Sequence, residues 1–293
     1  MPHDDSSSLT ARRALELGVQ RLQAAGIESA RLDMSLLLAE ALHTDRLGLL
    51  TDLDRPLKEA ERLRAREYLA RRIRREPVAY ILGRRDFYGL TFELTRDVLI
   101  PRPETEHLVE RALAWLADHR GDRPAPLVAD VGVGSGAIAV AVARNDTAVR
   151  VIGVDSSAAA LAVAGRNAQR HGVADRIELR HGSLLEPVAE TLDAILSNPP
   201  YVAETERVQL PPEVADWEPA EALFGGRSGL DAIAELIRQA PDRLRPGGLL
   251  LIELGAGQAD TARMLGGMQL NLECVAVHRD YAGHPRVLEA RKR

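Results

Sequence analysis

From Pro126 to the C-terminus, apolar runs of strand length alternate with stretches of helical periodicity, and this alternation constrains the fold more than any other feature of the chain. Strand-like runs fall at Leu127 to Val131, Val149 to Val154, Ile177 to His181, Ala194 to Ser197, Leu249 to Leu254, Leu272 to His278 and Val287 to Ala290. Helical patterns lie between most of them, around Ala137 to Arg144, Ala158 to His171, Leu230 to Leu244 and Gln258 to Leu265. Such alternation predicts an α/β fold with a seven-stranded, mostly parallel sheet covered on both faces. Ligands of these sheets bind at the carboxyl ends of the strands.

The first part of the chain is different. After a polar tail over residues 1 to 8, helical spacing runs from Leu9 to about Pro77, with Ala14, Leu15, Gly18, Val19 and Leu22 on one face and Gly26 as a stop. A second helix carries Leu32, Leu36, Leu37 and Leu38. A third, from about Leu57 to Arg75, turns Leu57, Ala60, Leu63, Tyr68 and Ile73 inward. Between Val78 and Ile100 the period becomes strand-like, and Phe87 to Leu94 reads as a hairpin. The expected organisation is a helical bundle over 1–77, a hairpin linker over 78–102 and an α/β domain over 103–293.

The third helix carries Arg62, Arg64, Arg66, Arg71, Arg72, Arg74 and Arg75 among Glu59, Glu61, Glu67 and Glu76. Mixed charge of this kind fits a solvated surface, and it also fits a docking face for an acidic or ribonucleoprotein partner. The net charge of −5 argues against a surface that grips nucleic acid throughout. The single cysteine, Cys274, excludes an internal disulfide and reads as a buried structural thiol. Met1 to Ser8 lacks the apolar core of a secretory leader, and no apolar run approaches a membrane span, so a cytoplasmic protein is expected.

The first strand of the α/β region ends in Asp130-Val131-Gly132-Val133-Gly134-Ser135-Gly136, and a helix follows at once. Glycines there let the backbone approach a ligand, and the helix start offers unpaired N–H groups. The next strand ends in Asp155, where an acid can accept hydrogen bonds from two ribose hydroxyls. The same spacing satisfies a dinucleotide fingerprint. Asp130 would repel a pyrophosphate, however, and would welcome the ammonium of S-adenosylmethionine.

On the fourth strand, Leu192 to Ser197 runs into Asn198-Pro199-Pro200-Tyr201. That strand end sets a side-chain amide, exposed carbonyls and an aromatic face at the tip of the sheet, where they suit a flat NH2 group. Such a nitrogen is a weak nucleophile because its lone pair is conjugated, so an enzyme that alkylates it must orient it. Upstream, Leu99-Ile100-Pro101-Arg102-Pro103-Glu104-Thr105-Glu106 forms a stiff, charged loop ahead of a helix that Pro103 can begin. His284 reads as an ordinary exposed histidine.

The chain resembles the N5-glutamine methyltransferases of class I peptide chain release factors nearly end to end. The resemblance is carried by Tyr80-Ile81-Leu82-Gly83, Leu99 to Glu106, Asp130 to Ala139, Val154-Asp155 and Ser197 to Tyr201. It continues through Glu218-Pro219-Ala220 to Gly229-Leu230, Gly247-Gly248 with Glu253, and Asp280-Tyr281-Ala282-Gly283 with Arg286. It implies a Rossmann-like class I methyltransferase fold, S-adenosylmethionine as cofactor with S-adenosylhomocysteine as product, and release factors as partners; no metal and a monomer are expected. Asp130, Gly132, Val133, Gly134, Ser135, Gly136, Asp155, Ser183 and Asn198 would hold the cofactor. Asn198 and the Pro199 carbonyl would accept hydrogen bonds from the substrate NH2, with Pro200 and Tyr201 beside the amide plane and Arg102 and Glu104 on the rim. Two departures stand out: Val133 replaces a usual Thr, and Ser183 occupies the place of an acid that meets the adenine amino group. The alternatives are a glutamine methyltransferase acting on a ribosomal protein, a DNA adenine-N6 methyltransferase, and a degenerate, non-catalytic binding module of the translation apparatus.

Overall fold

A computed structural model describes residues 9–119, 121 and 124–293, and the side chains of Cys274 and Val275 lie outside that description. The expectations for the tail over residues 1 to 8 and for the Cys274 thiol therefore fall outside the described residues. The chain divides into two compact units, one of residues 1–83 with 212–217, the other of 84–211 with 218–293.

The first unit is helical. α1 (Ala11–Ala24) starts where the Thr10 hydroxyl accepts from the Arg13 N–H, and it turns Ala11, Leu15, Gly18 and Leu22 inward. α2 (Ala30–Ala41) packs so closely on it that a Cβ at Gly18 would stand 2.3 Å from Met34 Sδ. α3 (Arg46–Thr51), α4 (Glu59–Ile73) and α5 (Val78–Leu82) complete the unit. The inward face of α4 departs from expectation. Leu63 and Ile73 are exposed, while Ala65, Leu69 and Arg72 are buried. The α4 arginines are largely engaged within the unit. Arg64 donates to the Ala41 carbonyl, Arg71 to Glu76, Arg72 to Asp33 and Glu213, and Arg75 to Glu213 and the Gly26 carbonyl. Of the seven arginines, only Arg66 and Arg74 are classed as exposed.

The division falls at Gly83, whose left-handed φ of 68° ends α5, and not at Pro77. The hairpin of β1 (Arg84–Phe87) and β2 (Leu90–Glu93) turns through Tyr88 and Gly89, both with positive φ, as a two-residue loop requires. It is no linker. Phe87 and Phe92 are buried in the core of the second unit, and the Asn167 side-chain amide bonds both the Glu93 N–H and the Glu93 carbonyl.

After the 3-10 turn Pro103–Thr105 come α6 (Glu106–Asp118), β3 (Leu127–Val131), α7 (Ala137–Asn145), β4 (Arg150–Asp155), α8 (Ala158–Arg170), β5 (Ile177–His181) and β6 (Leu192–Ser197). The chain then contributes α9 (Pro212–Ala215) to the first unit and returns through α10 (Ala220–Leu223), α11 (Asp231–Arg243), β7 (Leu244–Glu253), α12 (Ala259–Gly267), β8 (Leu272–Arg279) and β9 (Pro285–Lys292). The seven strands form one sheet in the order β5-β4-β3-β6-β7-β9-β8, antiparallel only where β9 meets β7 and β8.

Burial explains the uninterrupted apolar runs. All six residues of β6 are buried, and successive residues feed opposite faces: Val128, Val151, Ala194 and Leu196 one cluster, Ala129, Ile152, Ile195 and Leu250 the other. Strand order reverses at β3, with β4 on one side and β6 on the other, which opens a crevice above their carboxyl ends. Among the described residues no helix is long and apolar enough to cross a membrane.

Candidate active site

The loop between β3 and α7 is built on glycine for a geometric reason. Gly132 has φ +77°, and a Cβ there would meet nothing nearer than the Asn198 carbonyl oxygen at 3.8 Å, so the space above the loop stays open. Asp155, at the end of β4, secures the loop from below: Oδ2 accepts from the Gly134 N–H and Oδ1 from the Ser157 N–H, each at 2.9 Å. The Val133 side chain is buried and packs toward Gly153, where the added Cβ would lie 3.0 Å from it. An apolar residue is therefore in place at this position of the loop.

Asp130 departs from the expected position. It is wholly buried beneath the loop, where Oδ2 accepts from the Ala139 N–H at 2.9 Å and Oδ1 has no hydrogen-bond partner among the described residues. Burial drives its carboxyl up to about 7, with the Asp155 charge adding to the shift and the Ala139 N–H opposing it. Its effect on a ligand would come through the field of the loop and not through direct contact.

β6 lies parallel to β3 with Ser197 opposite Val131, so the tetrapeptide Asn198 to Tyr201 emerges beside the glycine loop. The Asn198 Nδ2 donates to Thr105 Oγ1 at 3.1 Å, which leaves Oδ1 as the acceptor end of the amide. A side-chain amide on one side and backbone on the other grip the tetrapeptide. The Gln258 Nε2 donates to the Tyr201 carbonyl at 2.9 Å, and a Cβ at Gly225 would fall 2.2 Å from the Pro200 oxygen. Tyr201 is largely buried; its hydroxyl points at Glu253 Oε1, 3.5 Å away, and burial pushes the phenol up to about 12.

A cavity of about 780 Å³ spans the loop and the tetrapeptide, a volume suited to a cofactor-sized ligand. Of the expected residues its wall takes Gly132, Val133, Gly134, Ser135, Asp155, Ser183, Asn198 and Pro200. Asp130, Gly136, Pro199, Tyr201, Arg102 and Glu104 stand off that wall. Gly136 begins α7 and faces Ala164, 3.3 Å from where its Cβ would be. The two residues expected on the rim lie off that wall. Arg102 Nη2 pairs with the buried Glu218 at 2.6 Å, and the other Glu218 oxygen accepts from the Ile100 N–H, so Arg102 stiffens the 99–106 loop. Glu104 is exposed and does not line the cavity. Pocket residues beyond those expected include Thr105, and Glu218, Glu253 and Gln258 support it from behind. Thr105, Glu218 and Glu253 lie within motifs of the resemblance, which marked the stretches but not the partners.

The open spaces over Gly132 and Gly134, the acid at the end of β4 and the orphaned carboxylate oxygen of Asp130 together suit a cationic nucleoside ligand. Sheet order and this crevice define a class I methyltransferase fold. A crystal structure of a methyltransferase from Pyrococcus furiosus shares the fold at a TM-score of 0.52 and 19% identity, over 70% of this chain and 90% of its own.

The family model described as PrmC N-terminal domain matches residues 13–83, and that described as methyltransferase small domain matches residues 109–211. A release factor glutamine methyltransferase of Geobacter sulfurreducens is 46% identical over 253 residues, 86% of each chain. One of Cereibacter sphaeroides is 45% identical over 285 residues, 97% of this chain and 99% of its own. This chain belongs to the release factor glutamine methyltransferase family.

Proposed function

We propose that the protein transfers a methyl group from S-adenosylmethionine to the side-chain amide nitrogen of the glutamine in the Gly-Gly-Gln motif of class I release factors, as a monomer in the cytoplasm. The observation that carries this reading is the shared cavity: Asn198, its amide nitrogen held by Thr105, and the glycine loop line one space. Family membership adds the substrate class, since the relatives are named release factor glutamine methyltransferases.

The bound cofactor would supply an electrophilic methyl on a sulfonium and leave as S-adenosylhomocysteine. Gly132, Gly134, Ser135 and Asp155 would hold it, with Ser183 at the adenine end. Asn198 Oδ1 and the Pro199 carbonyl would each accept one N–H of the glutamine NH2, which turns the nitrogen lone pair toward the methyl carbon. Positioning of this kind removes several kcal/mol of barrier. The same acceptors stabilise the positive charge that develops on nitrogen as the N–C bond forms. Once alkylated, the nitrogen is acidic and releases its proton to solvent, so a strong base is not needed. Tyr201 and Pro200 would flank the amide plane, and the helical unit would dock the partner protein mainly through surfaces other than its internally engaged arginines.

Incubation with radiolabelled S-adenosylmethionine and, separately, a release factor, a ribosomal-protein fraction and duplex DNA tests the reading. Label on the release factor, with one added methyl located on the Gly-Gly-Gln peptide by mass, is the expected result. Transfer only to ribosomal protein or DNA would redirect it, and transfer to none would favour a binding module.

A further inference from the structure

Three stretches of backbone meet at the end of the tetrapeptide, and one side chain joins them. Gln258 stands at the N-terminal end of α12, where its amide makes no cap hydrogen bond with the helix. Its Nε2 donates to the Tyr201 carbonyl at 2.9 Å and to the Gly229 carbonyl at 3.2 Å, and its Oε1 accepts from the Gly255 N–H at 2.9 Å. Both hydrogens and the oxygen of the amide are thereby engaged. The neighbours fix its orientation, since the two carbonyls only accept and the backbone N–H only donates. Neither near relative reproduces the set: an ionised Glu has no hydrogen to give, and Asn is shorter by one methylene. The packing is as close as the bonding. A Cβ at Gly229 would lie 2.2 Å from the Tyr201 oxygen, and one at Gly255 would lie 3.0 Å from the Tyr201 ring.

The tetrapeptide is thus anchored at both ends, at the Asn198 side chain by Thr105 and at the Tyr201 carbonyl by Gln258. Pro199 and Pro200 lie between the anchors, each with φ locked by its ring. The Pro199 carbonyl accepts no hydrogen bond among the described residues, so only the chain on either side sets its direction. We propose that Gln258 is a positioning residue for methyl transfer: by holding the Tyr201 carbonyl at the far end of the stiff proline pair, it aims the Pro199 carbonyl at the substrate N–H. The inference rests on the functional reading above. Gln258, Tyr201, Gly229 and Gly255 line no part of the cavity, so the effect falls on the rate of transfer and not on cofactor binding.

Two measurements test this on the full-length protein. Gln258→Met keeps the reach of the side chain without its hydrogen bonds, and Gln258→Glu keeps the acceptor for the Gly255 N–H while losing both donated hydrogens. In steady-state transfer to a release factor at saturating cofactor, each should lower kcat about ten- to a hundredfold, with release-factor KM and calorimetric cofactor affinity within about twofold of wild type. The second measurement needs no substrate. In protein labelled with 13C at the proline carbonyls, the Pro199 line, assigned by its loss in Pro199→Ala, should be single in wild type and shifted or split in Gln258→Met.

Unchanged kcat in both variants, or a Pro199 line identical in wild type and Gln258→Met, overturns the proposal. A loss confined to cofactor affinity or to KM overturns it as well, because it places Gln258 in binding. If Gln258→Met does not fold, Gln258→Glu carries both readings with the same outcomes. A wild-type enzyme that methylates no release factor would sink the functional reading, and the Pro199 line would still decide whether Gln258 sets that carbonyl.

Discussion

The carboxylate of Asp155 receives the Gly134 N–H at 2.9 Å, joining the end of β4 to the glycine loop before any ligand is considered. Its second oxygen receives the Ser157 N–H at the start of α8. One side chain therefore sets the loop and, in the proposed complex, also accepts from the ribose. Asp155→Ala should weaken S-adenosylmethionine binding by at least about 1–3 kcal/mol, the range for charged hydrogen bonds lost from a site. Asp155→Asn keeps one acceptor oxygen and should fall between. Calorimetry that finds unchanged affinity in the alanine variant would place the ribose elsewhere.

Asn198→Ala separates acceptor from donor. The Asn198 amide nitrogen is held by Thr105, and Asn198 lines the cavity. Its removal should abolish measurable transfer, a loss of at least about a hundredfold by analogy with deleting one preorganised polar group at a reacting centre. Cofactor affinity should stay close to wild type. A collapse of cofactor affinity in this variant would contradict the assignment.

The sheet was legible because parallel strands are buried on both faces: Leu192 to Ser197 and Val151 to Val154 stand out as apolar runs bounded by turns. The start of β7 was not legible, since Pro246, Gly247 and Gly248 break the apolar pattern of a strand that begins at Leu244. α3 and α5 are six and five residues long, too short for a helical period to show. On α4 the inward face includes Arg72, which is buried through ion pairs that no hydropathy pattern reveals. The site divides in the same way. The glycine loop and the tetrapeptide are contiguous and visible, whereas Asn198 meets Thr105 across 93 positions and Tyr201 meets Glu253 across 52. Contacts of that span depend on the topology of the sheet, and spacing along the chain says nothing of them.

Gly225 tests how rigid the tetrapeptide must be. A Cβ there would lie 2.2 Å from the Pro200 oxygen and 2.9 Å from the Gly229 oxygen, and both are backbone atoms that cannot swing aside. Gly225→Ala should shift the Pro200 carbonyl, lower kcat about tenfold or more and cost about 1–3 kcal/mol of stability, as overpacking does. Wild-type kcat and melting temperature in this variant would show that the tetrapeptide tolerates displacement.

The buried ion pair of the helical unit carries a stability prediction. Arg72 Nε meets Asp33 at 2.7 Å and Nη2 meets Glu213 at 2.8 Å, so one guanidinium ties α2, α4 and α9. Arg72→Met preserves much of the volume but leaves Asp33 buried without its cation. The expected cost is about 3–5 kcal/mol, read as an early melting transition of the helical unit by circular dichroism. Asp33→Asn on the same background should restore part of the loss, since it removes the uncompensated charge. An Arg72→Met protein as stable as wild type would show that the pair contributes no net stability.

Asp130 gives a pH dependence with a definite sign. Its carboxyl lies at about 7 in the folded protein, raised by burial, against an ordinary value of 3.8 in the unfolded chain. Between those values the folded state holds a proton that the unfolded state has lost. The stability contribution is therefore full below the unfolded value, declines as pH rises, and is gone above the folded one. Asp130→Asn keeps an oxygen for the Ala139 N–H, which the carboxylate now accepts at 2.9 Å, and carries no charge to bury. Relative to wild type the variant should gain in melting temperature as pH increases from 5 to 7 and hold a constant advantage beyond about pH 8. Glu253 titrates in the same range in both proteins, so the difference between the two curves isolates Asp130. A difference that does not vary with pH would mean that Asp130 is already ionised in the folded protein at pH 5.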